Sequence, residues 1–236
     1  ENTQRILSLD RNAPLLMDAC VEHPAFGFGL TRRLLDVVSR RLHATRMQLV
    51  DAYRQKAAAL QHLGHLHEAE SVLTHAARTF PDDPALMLEN ARVAHRQGDW
   101  PEALRRWGGV TVRFPDNPEG YAGIGVALQL TGRLDEADAW LAEAVQRFPD
   151  HPGSAIEYAR VAHRRPDWPE AFRRWEQVLA RFPHRADGMF GALTALEKFD
   201  KSERLDELAT EAITRFADNA EMRMFHARLA ERRADW

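Results

Sequence analysis

The sequence predicts an all-α solenoid built from antiparallel helix pairs, on three observations. Phe80, Phe114, Phe148, Phe182 and Phe216 recur at a step of 34 residues, the first four each followed by proline. A second, independent set keeps the same step: Leu66, Trp100, Leu134, Trp168, Ser202 and Trp236, with Ala69, Ala103, Ala137 and Ala171 three residues behind the first four. Helix breakers fall at fixed places inside each interval, so that every unit reads as two helices with a turn between them. A fixed period of this length marks stacked helix-turn-helix units, none of which buries its apolar face alone.

Taken in order, residues 1–49 do not match the repeat and are expected to form an N-terminal helical cap. A short helix is expected over residues 13–22, after Pro14, with His23-Pro24 and the Gly27-Phe28-Gly29 run interrupting it. Residues 31–48 are helical in pattern, with Leu34, Leu35, Val38 and Leu42 on one stripe and Arg32, Arg33, Arg40 and Arg41 mostly off it. The ordinary reading of that stripe is a cap on the first repeat; a basic amphipathic helix lying on a membrane surface is the sharper one.

The array then runs over residues 50–236, in repeats 50–83, 84–117, 118–151, 152–185 and 186–219, with the first helix of a sixth over 220–236. Asp83-Pro84, Asn117-Pro118 and His151-Pro152 place a capping or turn residue before a proline at the first helical position, where its missing N–H costs nothing. Gly64, Gly98 and Gly132, or Pro166 in the fourth copy, mark the turn between the two helices. Asp99 with Glu102, and Asp167 with Glu170, form a D-x-x-E variant of the capping box that starts the second helix. Small residues at Ala57, Ala91, Gly125 and Ala159 let paired helices approach, and Leu73, Trp107, Leu141 and Trp175 fill between them. The fifth copy carries Leu193 and Leu205 where small residues are expected, which predicts a locally altered packing angle.

A longer period lies above the first. Residues 91–96 and 159–164 share A-R-V-A-H-R, and D-W-P-E-A and R-R-W recur in the same two copies, so the chain alternates two kinds of repeat in a 68-residue double unit. Residues 118–151 carry the fullest version of the unit, with Tyr121, Ile124, Gly125 and Leu128 in its first helix and Ala137, Leu141, Ala144 and Pro149 beyond. On these residues the chain resembles the tetratricopeptide repeat (TPR) family, over about residues 50–236.

The resemblance implies a right-handed superhelix whose concave surface is lined mainly by the first helix of each pair. Carried over position by position, it assigns to that surface Glu89, Arg92, His95 and Arg96 in the second copy and Glu157, Arg160, His163 and Arg164 in the fourth. The sixth contributes Arg228 and Arg232, and the third only Ala122, Gly123, Val126 and Gln129. Basic rungs separated by a small, fairly apolar floor would suit an extended protein or peptide segment bearing carboxylates or phosphates, an acidic partner. Against this, Glu89 with Arg92 and Glu157 with Arg160 are spaced i,i+3 and can spend the arginines on surface pairs. The family's lysine-and-asparagine clamp for a C-terminal carboxylate is not reproduced, since Asn90 sits on the packed side.

Bulk composition narrows the classes. Thirty-two basic against 35 acidic residues leave a net charge of -3, which points away from nucleic acid, and no apolar run is long enough for a membrane span. The lone Cys20 excludes an internal disulfide framework and suits a reducing, cytoplasmic setting. His62, His65 and His67 cluster at the first turn but straddle a glycine and lack a carboxylate or cysteine to complete a metal site. Gly123-Ile124-Gly125 falls within a helix with no strand before it, so it is no dinucleotide fingerprint. No nucleophile has a companion base at a workable spacing, and neither catalysis nor a cofactor is expected.

The reading is therefore a non-catalytic, protein-binding scaffold. An alternative is the accessory region of a larger bacterial enzyme, since tracts rich in FPD and DWPEA look like the arrays that accompany glycosyltransferase or sulfotransferase domains. Beginning at Glu1 and ending at Trp236 halfway through a unit, the chain is expected to continue in its parent, and self-association through the open C-terminal end is a third reading.

Overall fold

The computed structural model describes Met17, residues 20–199 and residues 203–234, with all their side chains except those of Phe26 and residues 232–234. The described residues are helical, without a strand: α1 Pro24–His62, α2 Leu66–Thr79, α3 Pro84–Gln97, α4 Trp100–Arg113, α5 Pro118–Leu130, α6 Leu134–Arg147, α7 Pro152–Arg164, α8 Trp168–Arg181, α9 Ala186–Phe199, α10 Glu203–Arg215 and α11 Ala220–Ala234. The chain divides into two compact units, Glu1–Lys56 and Ala57–Trp236.

The helix of the first unit departs from the sequence pattern. Most of the helix expected over residues 13–22 lies outside the described residues. The Gly27-Phe28-Gly29 run does not break α1, which starts at Pro24 and continues unbroken to His62. Proline is at home at a helix start, and each glycine costs a helix only about 1 kcal/mol, so two glycines in the second turn weaken it without ending it. Thr31 Oγ1 also donates to the Gly27 carbonyl at 2.8 Å.

In the second unit many of the helix ends have a visible cause. Asp83 Oδ1 accepts from the Leu86 N–H at 3.0 Å, Asn117 Oδ1 from Glu119 at 3.0 Å, and the His151 ring from Ser154 at 3.1 Å, each just before a proline. Asp99 and Asp167 accept from the N–H of Glu102 and Glu170, the donors the capping-box pattern predicts. The turns inside the first three pairs close on glycine in the left-handed region, at φ +80° for Gly64, +75° for Gly98 and +76° for Gly132. Bonds such as Asp99 N–H to Ala94 O at 3.1 Å then satisfy the helix's last carbonyls. The recurrent phenylalanines end the second helix of each pair. Phe114 N–H returns to Val110 O, and Phe114 O accepts from Asn117 N–H at 3.0 Å, a turn repeated at Phe80, Phe148, Phe182 and Phe216.

The core forms two clusters, one around Ala91, Trp107, Leu128 and Leu141 and one around Ile156, Trp175, Leu193, Leu196 and Met222. Every bulky second-helix position, Leu73, Trp107, Leu141 and Trp175, is buried, each contributing about 1.5–3 kcal/mol. A Cβ on Gly125 would stand 2.4 Å from Leu141 Cδ2, so the close approach of α5 and α6 requires glycine there. In the fifth copy Leu193 and Leu205 are fully buried at the two small-residue positions, and α9 and α10 meet over less of their length than α3/α4, α5/α6 or α7/α8. The first helices α3, α5, α7 and α9 also touch their next-but-one neighbours, whereas the second helices do so far less, which makes the first-helix side the inner side of the stack.

Candidate functional site: two clefts on the inner helix face

Two clefts open on the inner side at equivalent places in the double repeat. The first, of about 260 Å³, is lined by Arg92, His95 and Arg96 of α3, Trp107 of α4, and Gly123 of α5, with Glu119, His151 and Glu157 on its far side. The second, of about 530 Å³, is lined by Arg160, His163 and Arg164 of α7, Trp175 of α8, and Gly191, Phe190 and Thr194 of α9. The pairs 92/160, 95/163, 96/164, 107/175 and 123/191 are each 68 residues apart, so the longer period of the sequence is also a period of the surface.

Packing fixes the floor of each cleft. The Trp107 indole lies flat on the backbone of α5, where a Cβ on residue 123 would come within 2.3 Å of Cδ2, and Trp175 lies on Gly191 with the same separation. Both indoles are almost wholly buried, yet the Nε1 of each has no hydrogen-bond partner. The same holds for Nδ1 of His95 and His163, whose rings stand edge-on to Trp100 and Trp168 at 5.2 and 5.1 Å. Burial, helped by Arg96 for His95 and by Lys198 for His163, pushes both imidazoles below their ordinary pKa of 6.5. Neutral imidazoles and unsatisfied donors therefore floor both clefts, and an unmade bond in a buried site is costly.

The arginines divide into two kinds. Arg92 is clasped by Glu89 Oε1 at 2.5 Å and Glu119 Oε2 at 3.1 Å, and Arg160 Nη1 reaches Glu157 Oε1 at 2.6 Å. His151 and Arg92 hold the Glu119 carboxyl down at about 2. Burial pushes Glu157 up despite Arg160, Gln129 and Arg164. The expected basic rungs are thus largely neutralised by the i,i+3 carboxylates and by Glu119 from the next repeat. Arg96 and Arg164, one turn further on, are exposed and make no hydrogen bond or ion pair among the described residues. Ala122, Gly123 and Val126 line the first cleft, whereas Gln129 turns away to bond the Glu157 carbonyl and carboxylate. Glu89 contributes through Arg92 and does not itself line the cleft. Arg228 pairs with Glu197 at 3.3 Å and lies over the Phe225 ring, apart from both clefts. The Arg232 side chain and Trp236 lie outside the described residues.

The sequence reading places Trp107 and Trp175 in the core, gives His151 only a capping role and passes over Glu119. The indoles are indeed core, and they also line the clefts, which only the packing reveals. Asn90 is on the packed side as expected, accepting from Arg106 at 2.9 Å and Thr74 at 3.2 Å. Arg106 and Arg174, again 68 apart, sit away from the clefts and bind successive repeats together. Arg106 bonds Glu102, the Asn90 carbonyl and Glu70, and Arg174 bonds Glu170, the Tyr158 carbonyl and Asp138. Among the described residues no group of three or more His, Cys, Asp or Glu could hold a metal, and His65 instead bonds Glu68 at 2.7 Å.

Stacked helix pairs whose first helices share one inner face define an α-solenoid repeat protein. The family model of the tetratricopeptide repeat matches residues 54–108 and 88–152. The matched stretch, residues 54–152, thus carries tetratricopeptide repeats, and the fold continues the same helix pairs beyond it. Solved structures share the fold at low identity. TTC0263, a thermophilic TPR protein of Thermus thermophilus, is 18% identical, with a TM-score of 0.60 over 77% of this chain and 98% of its own. MamA of Desulfovibrio magneticus RS-1 is 15% identical, with a TM-score of 0.59 over 72% and 97%. YrrB, described as a TPR protein with an unusual peptide-binding site, is 16% identical, with a TM-score of 0.54 over 76% and 90%. No curated protein matches the chain by sequence.

Proposed function

We propose that the chain is a non-catalytic interaction scaffold that holds an extended peptide along the inner helix face, across both clefts. The observation that carries this reading is the twofold recurrence, 68 residues apart, of an Arg-x-x-His-Arg helix face over an indole seated on glycine. A ligand with regularly spaced acceptors fits such a surface. Arg96 and Arg164 offer exposed guanidinium groups that make no hydrogen bond or ion pair among the described residues, and these favour carboxylates on the peptide. That YrrB is a TPR protein with a peptide-binding site is a precedent for the fold, at an identity that carries no residue across. Among the described residues no helix is long and apolar enough to cross a membrane, and with a single cysteine we place the scaffold in the cytoplasm.

The test is selection of peptides from a displayed random library on the whole chain, followed by calorimetry of the winners against wild type and the Arg96→Glu/Arg164→Glu variant. Acidic peptides are expected, with affinity falling at least tenfold in the variant, about 1.4 kcal/mol. Enriched peptides that bind both proteins equally, or no enrichment at all, would sink the groove reading and favour repeats that space and support an attached enzyme.

A further inference from the structure

A further feature is the apolar seam of α1. Between Thr31 and Leu49 every side chain of this helix is exposed. Phe28, Leu35, Leu42 and Leu49 follow one another at steps of seven, and Thr31, Val38, Thr45 and Ala52 stand three residues behind them. This is an a/d heptad pattern sustained over four heptads, the spacing that keeps one face of an α-helix against another helix. The seam residues are far from covered: Phe28 is 73% exposed, Leu35 65%, Val38 51% and Leu42 67%. A long helix gains most of its stability by packing an apolar face, so such a stripe calls for a partner.

Charge selects among partners. From Pro24 to Ala52 the helix has five arginines and two aspartates. Asp36 pairs with Arg40 and Asp51 with Arg54, all four at outer positions of the heptad. The positions flanking the seam, e and g, hold Arg32, Arg41 and Arg46 and no acid. Two copies of α1 side by side in parallel would set Arg41 against Arg46 of the other copy. Antiparallel copies would set e-position arginines against each other, so self-pairing brings like charges together in either orientation.

We infer that α1 is a docking helix for an amphipathic helix of another protein, one that carries acidic residues beside its own a/d seam. The inference stands apart from the inner-face clefts and uses none of their residues. The test uses the whole chain and two labelled 28-residue peptides of four heptads, both with leucine at a and d, one with glutamate and the other with lysine at e and g. Fluorescence anisotropy should show the glutamate peptide binding at least tenfold tighter than the lysine peptide, with affinity falling as salt rises. Leu35→Asp/Leu42→Asp should abolish binding, while Arg32→Glu/Arg41→Glu, a change confined to exposed positions, should reverse the preference between the peptides. Circular dichroism melts of each variant separate lost docking from lost folding, and Arg96→Glu/Arg164→Glu should leave the result unchanged. Equal binding of both peptides, or of neither, would overturn the inference. So would a dimer of the chain in sedimentation that depends on Leu35 and Leu42, or leucine-dependent capture by phosphatidylglycerol vesicles without peptide binding.

Discussion

Trp107 lies so close to the backbone of Gly123 that a single methyl at residue 123 would come within 2.3 Å of its indole. The relationship recurs between Trp175 and Gly191, and it ties the packing of two successive repeats to the shape of a cleft floor. The large residue that fills one repeat reaches the next repeat's first helix, and the glycine there is what lets it lie flat.

Replacing either glycine should therefore cost stability that ordinary helix propensity would not predict. Alanine normally favours a helix over glycine by up to about 1 kcal/mol. Here the clash should reverse the sign, with Gly123→Ala or Gly191→Ala destabilising by about 1–3 kcal/mol. Gly109→Ala is the control, because its nearest neighbour, Met87 Cε, stands 3.8 Å from the added carbon. That variant should be stabilised. Urea unfolding of the three proteins reads the contrast directly, and equal behaviour at 109 and 123 would contradict the packing.

Arg106 and Arg174 should be the most costly charged residues to remove. Their side chains are only 9% and 8% exposed, and each bonds groups from two successive repeats. Replacing Arg174 by methionine keeps much of the packing but leaves Asp138 and the Tyr158 carbonyl without this donor, a loss of about 1.5–3 kcal/mol. Adding Asp138→Asn to Arg174→Met should cost much less than the sum of the two single changes, because the pair acts as a unit. Additive losses in urea midpoints would show that the bonds contribute little.

These cases show what was legible in the sequence. The period, the caps and the turn glycines depend on residues close in the chain, and Asp99, Asp167, Gly64, Gly98 and Gly132 take the roles their local pattern implies. Ala91, Ala159 and Gly125 could be placed at helix crossings because the repeat register fixes them. The clefts were less legible. Whether Arg92 or Arg96 is available depends on Glu119, 27 residues from Arg92 on another helix, and helix spacing shows only the Glu89 half of that pairing. The extent of α1 was misjudged because two glycines look like a break when nothing in the local pattern reports the length of helix on either side.

Acid should weaken the fold in two steps of known sign. His95 and His163 have folded pKa values below 6.5, so their contribution is present above 6.5 and is lost as pH falls below it, where the unfolded chain takes up protons first. Glu102, Glu119 and Glu170 are held at about 2 against an ordinary 4.5, so theirs is lost between about 4.5 and 2. Arg105 leads at Glu102, Arg173 at Glu170 and His151 at Glu119. Glu157, raised by burial, works in the opposite direction. Melting temperatures from pH 8 to 3 should show a shallow fall followed by a steeper one. His95→Asn/His163→Asn should flatten only the first, and an unchanged upper step would refute its assignment.

The arginines of the inner face offer the sharpest separation of stability from binding. Arg92 bridges Glu89 and Glu119, whereas Arg96 one turn later contacts no carboxylate among the described residues. Arg92→Glu would leave three carboxylates together and should lower the urea midpoint, by roughly 1–2 kcal/mol for a half-exposed cluster. Arg96→Glu should leave stability within about 0.5 kcal/mol, as for an ordinary surface change. Binding of an acidic peptide should show the reverse emphasis: Arg96→Glu loses affinity in a salt-dependent way while the protein stays folded. The comparison at Arg160 and Arg164 should give a split of the same direction but smaller size, since Arg160 pairs with Glu157 where Arg92 bridges two carboxylates. Should Arg92→Glu and Arg96→Glu instead reduce stability alike and leave peptide affinity untouched, both arginines would be structural and the clefts would hold no carboxylate.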